Sequence, residues 1–305
     1  MALRYNSPVN SFLLGALPFV LFFLFAGGLW LLLMAWVPAG LHLFRTLSGR
    51  ATEWVNQRPA LASRRVALTK RISPWLAYLP VTLILAGGLA LTGFAAAQLL
   101  DLIEALQSNS VEMSAIDTTV HDWARDARNE PLTRFFIVAT LLGNPAGLAL
   151  MALVVSIILL FGRRYRWVGF LWVTTVGAGF LNLALKSHFE RARPTLTEAL
   201  RGAHGYSFPS GHAMGSIAVA GAFAYLAFRG FKSWRTQSAF IALSVTFVLA
   251  VGLSRIYIGV HWISDIAAGL LAGGMWVITT TLSYETFRRI RAARRGQRGP
   301  SAVTA

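Results

Sequence analysis

The sequence predicts an all-α membrane protein, a polytopic bundle of hydrophobic helices around one membrane core. Of its 305 residues, 55% are hydrophobic and only 13% are charged, with a mean hydropathy of +0.57. A soluble domain usually carries about 25% charged residues. The apolar residues fall in long blocks, and the basic residues are concentrated between alternate blocks. Both patterns are typical of a protein that crosses the membrane several times.

Seven apolar stretches are candidates for transmembrane helices. A helix needs about 20 residues to cross the hydrocarbon core, with about 17 tolerated. The stretches should be helical because a backbone in lipid must satisfy its own hydrogen bonds. The fifth and sixth are short, so we expect them to extend at their ends. The seven are Phe12–Val37, Trp75–Leu100, Phe135–Phe161, Trp167–Leu185, Gly211–Phe228, Ser238–Ser254 and Trp262–Leu282.

The first stretch is interpreted as an extra N-terminal helix that is not cleaved. It is longer than the apolar region of a secretion signal, which spans about 7–15 residues. Bulky residues also continue after Gly27-Gly28. A signal-like segment, or a helix that breaks at these glycines and returns, are the alternatives. The predicted division is an N-terminal extension with a basic segment at 1–73, a six-helix core at 74–285 and a basic tail at 286–305.

The distribution of Lys and Arg predicts the orientation. Nineteen of the 28 basic residues lie in segments 38–73, 163–166, 229–235 and 288–298. These segments alternate along the seven stretches, so the positive-inside rule assigns them and the C-terminus to the cytoplasm. The net charge of +16 then reflects topology rather than nucleic-acid binding, although the basic segments can attract anionic membrane lipids.

The opposite, external side receives segment 101–133, which holds seven of the twelve acidic residues. The pattern around Val120, Trp123 and Ala124 predicts an amphipathic helix lying at the membrane interface. Leu196–Phe208 and Ile256–Val260 are predicted as further external loops. Cysteine is absent, which excludes disulfides, a thiolate nucleophile and cysteine-ligated metal.

Three polar clusters fall on this external face. They run from Lys186 to Pro194, from Pro209 to His212, and from Ser254 to Asp265. Polar residues at helix ends that face a membrane are costly unless they pair or serve a function. Three such clusters on one side therefore indicate a functional site.

The spacing within the clusters suggests nucleophilic catalysis. His261 and Asp265 are four residues apart, which places them on one face of a helix. The carboxylate can accept a hydrogen bond from imidazole Nδ1 and leave Nε2 as a directed nucleophile. His212 is a candidate general acid for the leaving group.

The same clusters suggest that the ligand is a phosphoryl group. Lys186, Arg193 and Arg255 supply cationic donors, and phosphoryl transfer depends mainly on positioning and charge neutralisation. Ser210 and Gly211 stand at a predicted helix start, where backbone N–H groups favour an anion. Glycine also lets the backbone approach the phosphate closely.

Together the clusters resemble the signature of the type 2 phosphatidic acid phosphatase superfamily. That signature is Lys-x6-Arg-Pro, then Pro-Ser-Gly-His, then Ser-Arg-x5-His-x3-Asp, in this order. Every position matches, at Lys186, Arg193, Pro194, Pro209, Ser210, Gly211, His212, Ser254, Arg255, His261 and Asp265. The family's six-helix membrane core would correspond to about 75–282, and residues 1–73 are not part of that minimal pattern.

The resemblance implies a membrane lipid phosphatase that needs no metal and no cofactor. It implies that His261 attacks phosphorus, that Asp265 orients it and that His212 protonates the leaving group. The residues that would hold the phosphate are Lys186, Arg193, Ser210, Gly211 and Arg255. A zinc site built from the two histidines and the aspartate is disfavoured, because the surrounding cations would repel the metal.

Several alternatives stay open. The substrate is a lipid phosphate such as phosphatidic acid, phosphatidylglycerol phosphate, undecaprenyl diphosphate or lipid A phosphate. A phosphotransferase could use the same phosphohistidine, and a non-catalytic lipid-binding relative should have lost the nucleophile. Vanadium haloperoxidases share the anion-binding residues but are soluble. The expected location is a bacterial inner membrane with the site facing the periplasm; the sequence does not specify the oligomeric state.

The other four histidines are interpreted as ordinary polar residues. His42 and His121 are predicted at the surface. His188 and His204 lie in or near the external loop after the fourth stretch, where they are either solvated or in contact with a lipid head group.

Overall fold

The computed structural model describes residues 8–58, 79–108, 110–194 and 199–297. Regular structure in these ranges is entirely helical, which confirms the predicted all-α fold class. Nine helices occur within them: α1 Pro8–Asn56, α2 Leu79–Gln107, α3 Val111–Asp126, α4 Glu130–Leu142, α5 Pro145–Phe161, α6 Tyr165–Phe189, α7 Gly211–Gly230, α8 Trp234–Ile258 and α9 Ile263–Gln297.

Six of these helices contain stretches long and apolar enough to cross a membrane, namely α1, α2 and α6 to α9. A seventh candidate is formed by α4 and α5, a pair bent by 60° that passes the same criteria together. The predicted number of seven spans is therefore matched when the bent pair is counted as one. The fifth and sixth predicted stretches do extend, to helices of 20 and 25 residues.

The prediction of an uninterrupted third span, Phe135–Phe161, is wrong. The helix is interrupted at Gly143 and Asn144, between α4 and α5. The Asn144 side chain accepts a hydrogen bond from the Gly147 N–H at 2.6 Å and caps α5. Pro145 has no N–H and suits the first position of the new helix. This Gly-Asn-Pro sequence combines helix-stop and helix-start residues, so it begins a second helix instead of continuing the first.

Helix α1 runs through Gly27-Gly28 without a break, so the alternative of a helix broken there is wrong. Trp30 Nε1 donates to the Arg235 carbonyl at 3.0 Å, which joins α1 to the start of α8. From Leu41 to Arg50 every side chain is exposed, so α1 continues beyond this end of the bundle. Residues 59–78, which include the rest of the predicted extension and the start of the second predicted span, lie outside the described residues.

The packing of α9 against α7 brings the ends of these helices together. A Cβ atom on Gly269 would lie 2.7 Å from the Ser210 carbonyl oxygen, and one on Gly273 would lie 2.9 Å from the Met214 carbonyl oxygen. Real Cβ atoms do not come this close to a backbone oxygen, so glycine is required for this approach. The start of α9 therefore lies directly beside the start of α7.

Helix α3 is the helix that the sequence predicts within segment 101–133, and its position at the membrane interface stays a prediction. Ser110 caps its start by accepting from the Met113 N–H at 3.4 Å. Its buried face carries Asp117 and His121, whereas Trp123 is 70% exposed. The expectation that His121 is a surface residue is therefore wrong, because its ring packs against that of Trp262 at 5.5 Å between centroids.

Candidate active site

The predicted site residues meet around one cavity of about 930 Å³. It lies where α6 and α8 end and where α7 and α9 begin. Ser210 and Asp265 are fully buried behind its wall. The six predicted site residues that line it are Lys186, Arg193, Gly211, His212, Arg255 and His261.

His261 and Asp265 form the predicted pair, although not on one helical face. Helix α9 begins only at Ile263, and His261 lies in the turn that follows Gly259, whose φ is 85°. Asp265, in the first turn of α9, reaches back, so that His261 Nδ1 lies 3.1 Å from Asp265 Oδ2. The backbone N–H of Trp262 donates to the same oxygen at 3.0 Å. The aspartate thus acts as a cap for its own helix and as a hydrogen-bond acceptor for the imidazole.

The hydrogen bonds of His261 define its tautomer. An ionised carboxylate only accepts, so Nδ1 carries the proton and donates it to Asp265. Arg193 Nη1, which can only donate, lies 3.2 Å from Nε2, so Nε2 presents its lone pair. Burial lowers the pKa of His261 to about 4, against the raising effect of Asp265. The imidazole is therefore neutral near pH 7, and its Nε2 lies beside the Arg193 guanidinium, which lines the same cavity.

Arg193 is held in place by its own loop and by the connection between α8 and α9. Its guanidinium donates to the Val260 carbonyl at 2.8 Å and to the Gly205 carbonyl at 2.9 Å. Further bonds go to the His204 and Tyr206 carbonyls. Burial lowers the pKa of Arg193 from its ordinary value, and Asp265 opposes this. A guanidinium stays protonated after such a shift, so Arg193 is a fixed positive charge beside His261.

Lys186 lies on the last turns of α6 and also contacts this loop. Its ammonium group donates to the Tyr206 carbonyl. Since an ammonium has three donors, it can bind the loop and an anion in the cavity together. His204 lines the cavity as well, with an exposed side chain, and His188 is exposed with its ring against Phe189.

The start of α7 carries donors with no capping partner. Ser210 is its N-cap, yet the Ser210 side chain makes no capping hydrogen bond. Its hydroxyl is buried without a hydrogen-bond partner, while its backbone N–H donates to the Asp265 carbonyl at 3.0 Å. A Cβ on Gly211 would lie 2.9 Å from Asn182 Oδ1, so glycine is needed there. A helix start in this state is suited to binding an anion.

Arg255 is the third cation of the site; unlike Lys186 and Arg193 it is buried, and its hydrogen bonds are only partly satisfied. It is 8% exposed, and its Nη1 donates to Thr140 Oγ1 at 2.6 Å. Its Nε is buried and makes no hydrogen bond. Buried donors without partners are costly in a folded protein. The Arg255 Nε and the Ser210 hydroxyl therefore suggest that a ligand with acceptor oxygens completes the site.

Sequence reasoning missed four polar residues that support the site. Arg191, Asp117 and Ser264 form a buried network behind Asp265, and Asn182 donates to the Pro209 carbonyl at 3.2 Å. Asp117 was counted only among the external acidic residues. The remaining signals were weak, since a single Asn or Arg at a helix end has many ordinary explanations.

No group of three or more His, Cys, Asp or Glu side chains arranged to hold a metal ion occurs in the described ranges. The predicted absence of a metal requirement stays a prediction.

Comparison with known proteins identifies the family. A sequence profile of the PAP2 superfamily matches residues 165–289, which include every motif position. Phosphatidylglycerophosphatase B of Bacillus subtilis is 30% identical over 193 residues, which cover 62% of this chain and 93% of that protein. The chain belongs to the PAP2 superfamily. The resemblance inferred from the motifs is thereby confirmed.

Other PAP2 relatives agree with this assignment. The lipid A 1-phosphatase of Rhizobium etli is 35% identical over 128 residues, covering 39% of this chain and 51% of that protein. The crystal structure of a transmembrane PAP2-type phosphatidylglycerolphosphate phosphatase from Bacillus subtilis matches with a TM-score of 0.59 and 26% identity. The match covers 64% of this chain and 96% of the chain in that crystal structure. This chain is thus an integral membrane protein of a lipid phosphatase family.

Proposed function

We propose that this PAP2 protein is a metal-independent lipid phosphate phosphatase that works through a phosphohistidine at His261. The observation that carries the proposal is the contact of His261 Nδ1 with Asp265, at a cavity that His261 lines together with Lys186, Arg193 and Arg255. A nucleophile and three cations at one site suit phosphoryl transfer.

The reaction proceeds in two steps. In the first, the lone pair of His261 Nε2 forms a bond to phosphorus while the bond from phosphorus to the leaving oxygen breaks. His212 donates a proton to that oxygen, and the dephosphorylated lipid leaves. In the second, water attacks the phosphohistidine, His212 takes the proton of the water, and the N–P bond breaks to release inorganic phosphate. Asp265 stabilises the positive charge on the imidazole in both steps.

Phosphate binding uses the incomplete hydrogen bonds of the site. The Arg255 Nε and the Ser210 hydroxyl are buried donors without partners, and the start of α7 at Gly211 offers backbone N–H groups. Lys186 and Arg193 add positive charge where the cavity meets the loop between α6 and α7. These donors neutralise the charge that spreads over the equatorial oxygens during transfer. The same concentration of positive charge disfavours a bound metal cation.

The shape of the cavity favours a lipid. Beyond the polar end, its wall is apolar, and two of its residues, Phe180 and Leu183, are 69% and 64% exposed on the outside of α6. A hydrocarbon tail can therefore stay at the lipid-facing surface while the phosphate enters the polar end. The remaining large apolar residues of the wall are Leu141, Leu148, Trp172, Val176 and Val219.

The candidate substrates are phosphatidic acid, phosphatidylglycerol phosphate, undecaprenyl diphosphate and lipid A phosphate. The names of the relatives favour two of them, since one is a phosphatidylglycerophosphatase and another a lipid A 1-phosphatase. A tail in the membrane and a phosphate at the helix ends are common to all four.

The proposed location is a bacterial inner membrane with the site facing the periplasm and the C-terminus in the cytoplasm. The chain has no cysteine, so single cysteines can report topology without background. Ser108 is exposed at the end of α2 near the site, and Ser48 is exposed on α1 beyond the opposite end. The cells are treated so that the outer membrane is permeable and the inner membrane stays intact. A membrane-impermeant maleimide should then label Ser108→Cys but not Ser48→Cys. The reverse pattern would contradict this orientation.

The activity is tested with purified protein in detergent, measuring phosphate release from the four lipids in the presence of EDTA. We expect the wild-type protein to release phosphate from at least one lipid, and His261→Ala to release none while keeping its thermal unfolding temperature. Inhibition by EDTA that one metal reverses would overturn the metal-independent mechanism. If no lipid is hydrolysed but labelled phosphate passes to an acceptor lipid, the protein is a phosphotransferase instead.

A further inference from the structure

A buried ionic network lies behind the catalytic pair and takes no direct part in the proposed reaction. Its centre is Arg191, in the loop after α6, whose side chain is 23% exposed. Arg191 Nη1 donates to Asp265 Oδ1 at 2.6 Å and to Ser264 Oγ at 2.7 Å. Arg191 Nη2 donates to Asp117 Oδ2 at 2.7 Å. One guanidinium thus bridges the catalytic aspartate and a second carboxylate.

The second carboxylate comes from the amphipathic helix α3. The Asp117 side chain is 3% exposed and accepts from the Ser264 N–H at 3.1 Å and from the Ser264 hydroxyl at 2.7 Å. Both contacts are to the first turn of α9, the turn that also carries Asp265. Asp117 is therefore fixed to the helix start that presents the catalytic pair.

This network completes the hydrogen bonding of Asp265. Its Oδ2 accepts from His261 and from the Trp262 N–H, and its Oδ1 accepts from Arg191. With both oxygens bound, the carboxylate cannot rotate about its χ2 angle without losing a charge-assisted hydrogen bond. The direction of the His261 lone pair is therefore determined by Arg191 as well as by Asp265.

We propose that Arg191 and Asp117 are positioning residues, through which helix α3 holds the Asp265 carboxylate and hence the reacting imidazole of His261. The inference rests on the proposed function, because it assigns these residues a role in the reaction at His261. Neither residue lines the cavity of the predicted phosphate ligands. They line a neighbouring cavity of about 430 Å³ together with Arg193, and their hydrogen-bonded link to His261 runs through Asp265.

A purely structural tie between α3 and α9 would predict a different result at His261. Arg191 neutralises part of the negative charge of Asp265, so its removal should favour the imidazolium and raise the pKa of His261. Since only the neutral imidazole attacks, the acid limb of the activity profile should move to higher pH. The charged and titratable groups that surround His261 are Asp265 from α9, Arg255 from α8, Arg193 from the loop, Lys186 from α6 and His212 from α7. All of them stay in place in the variants used here.

The experiment compares Arg191→Gln, Arg191→Lys and Asp117→Asn with Asp122→Asn. Asp122 lies on the same helix, but its side chain is 55% exposed and pairs with Arg125, so it is the matched control. The substrates are dioctanoyl phosphatidic acid and dioctanoyl phosphatidylglycerol phosphate in detergent. Thermal unfolding of each variant reports whether it is folded.

We expect Arg191→Gln to lower kcat by about 10–100-fold, by analogy with the loss found when a residue that orients a metal-ligating side chain is removed. KM should change by less than about twofold, because the phosphate ligands are untouched. Asp117→Asn should have a smaller effect in the same direction. Arg191→Lys should recover part of the loss, since it keeps the charge but not the planar fork. Asp122→Asn should match the wild type.

The pH readout separates positioning from stability. The ratio of Arg191→Gln activity to wild-type activity should fall as pH decreases, and the titration of the substrate cancels in this ratio. The direct measurement is an NMR titration of isotope-labelled histidine, with the His261 signal assigned by its loss in His261→Ala. The His261 pKa should be higher in Arg191→Gln than in the wild type.

Two results would overturn the inference. One is that Arg191→Gln and Asp117→Asn match Asp122→Asn in kcat. The other is an unchanged His261 pKa in a folded Arg191→Gln variant. If Arg191→Gln does not fold, Arg191→Lys and Asp117→Asn decide by the same criteria. If the wild type hydrolyses no lipid, the proposed function fails, but the NMR titration still decides whether the network controls His261.

Discussion

Both ends of the helical bundle are rich in arginine, but the two sets of arginines are bonded differently. The end of the bundle opposite the site, where α7 ends and α8 begins, is called the basic end. There Arg288 pairs with Glu285, three residues away on the same helix, and the Arg288 side chain is 37% exposed. At the site end, Arg191 bonds Asp265 across 74 residues, and Arg255 bonds Thr140 across 115 residues. The number of arginines in the sequence does not distinguish these two sets, but their hydrogen-bond partners do.

The partners of an arginine distinguish a residue that sets membrane orientation from one that supports a reaction. A basic residue that serves topology needs only to reach water or a local partner, so it snorkels or pairs within its own helix. A buried guanidinium loses its hydration, which costs several kcal/mol unless the fold supplies partners. Hydrogen-bond partners from distant parts of the chain therefore indicate an arginine whose positive charge is fixed at one place in the fold.

The largest contrast is expected between two carboxylates, one at each end. Asp265→Asn should lower kcat by about 10⁴-fold, the effect of the same change in a Ser-His-Asp triad, because the amide no longer fixes the histidine tautomer. Glu285→Gln, at the basic end, should keep wild-type kcat. Steady-state hydrolysis of the preferred lipid measures both. Equal losses in the two variants would contradict the comparison.

Substitution of an arginine at each end should change kcat/KM by less than the carboxylate substitutions change kcat. Arg255→Gln removes one buried donor to the phosphate and should lower kcat/KM by about 10²–10³-fold, as the loss of one preorganised donor does in other enzymes. Arg288→Gln is the control, since its partner Glu285 is local. The same assay serves, and a loss from Arg288→Gln as large as that from Arg255→Gln would show that both ends serve the reaction.

Helix packing at the site end provides a third test. Gly269→Ala would bring a methyl group to 2.7 Å from the Ser210 carbonyl, whereas Gly274→Ala would meet nothing closer than 3.6 Å. Overpacking of this kind costs about 1–3 kcal/mol. Gly269→Ala should therefore lower both the thermal unfolding temperature and kcat, and Gly274→Ala neither. Unchanged activity in Gly269→Ala would show that the contact between α7 and α9 is not needed for catalysis.

The smallest effect is expected for the contact of α1 with the bundle. Trp30→Phe removes one hydrogen bond to the exposed backbone of Arg235, which is worth about 1 kcal/mol at most. The unfolding temperature should fall slightly, and kcat/KM should stay within about twofold of the wild type. A larger loss of activity would mean that α1 takes part in forming the site.

The sequence predicted the long apolar helices and the residues around the cavity, because apolar blocks and contiguous motifs are local signals. It missed the break at Gly143 and Asn144 that divides the third predicted span into α4 and α5. It placed His261 and Asp265 on one helical face, whereas the histidine precedes the helix, since the pattern gives spacing but not the residue at which α9 begins. It missed the Asp117–Arg191 link, because a buried ion pair between distant segments leaves no periodic signal. His121 was assigned to the surface for the same reason, since its burial depends on how α3 packs.

The most direct test of the central claim is to trap the covalent intermediate. Wild-type protein is mixed with a lipid that carries a radiolabelled phosphate and is quenched within a single turnover. We expect a transient phosphoprotein that is stable to alkali and labile to acid, as a phosphohistidine is, and that is absent from His261→Ala. Release of phosphate without any labelled protein, or labelling that persists in His261→Ala, would contradict it.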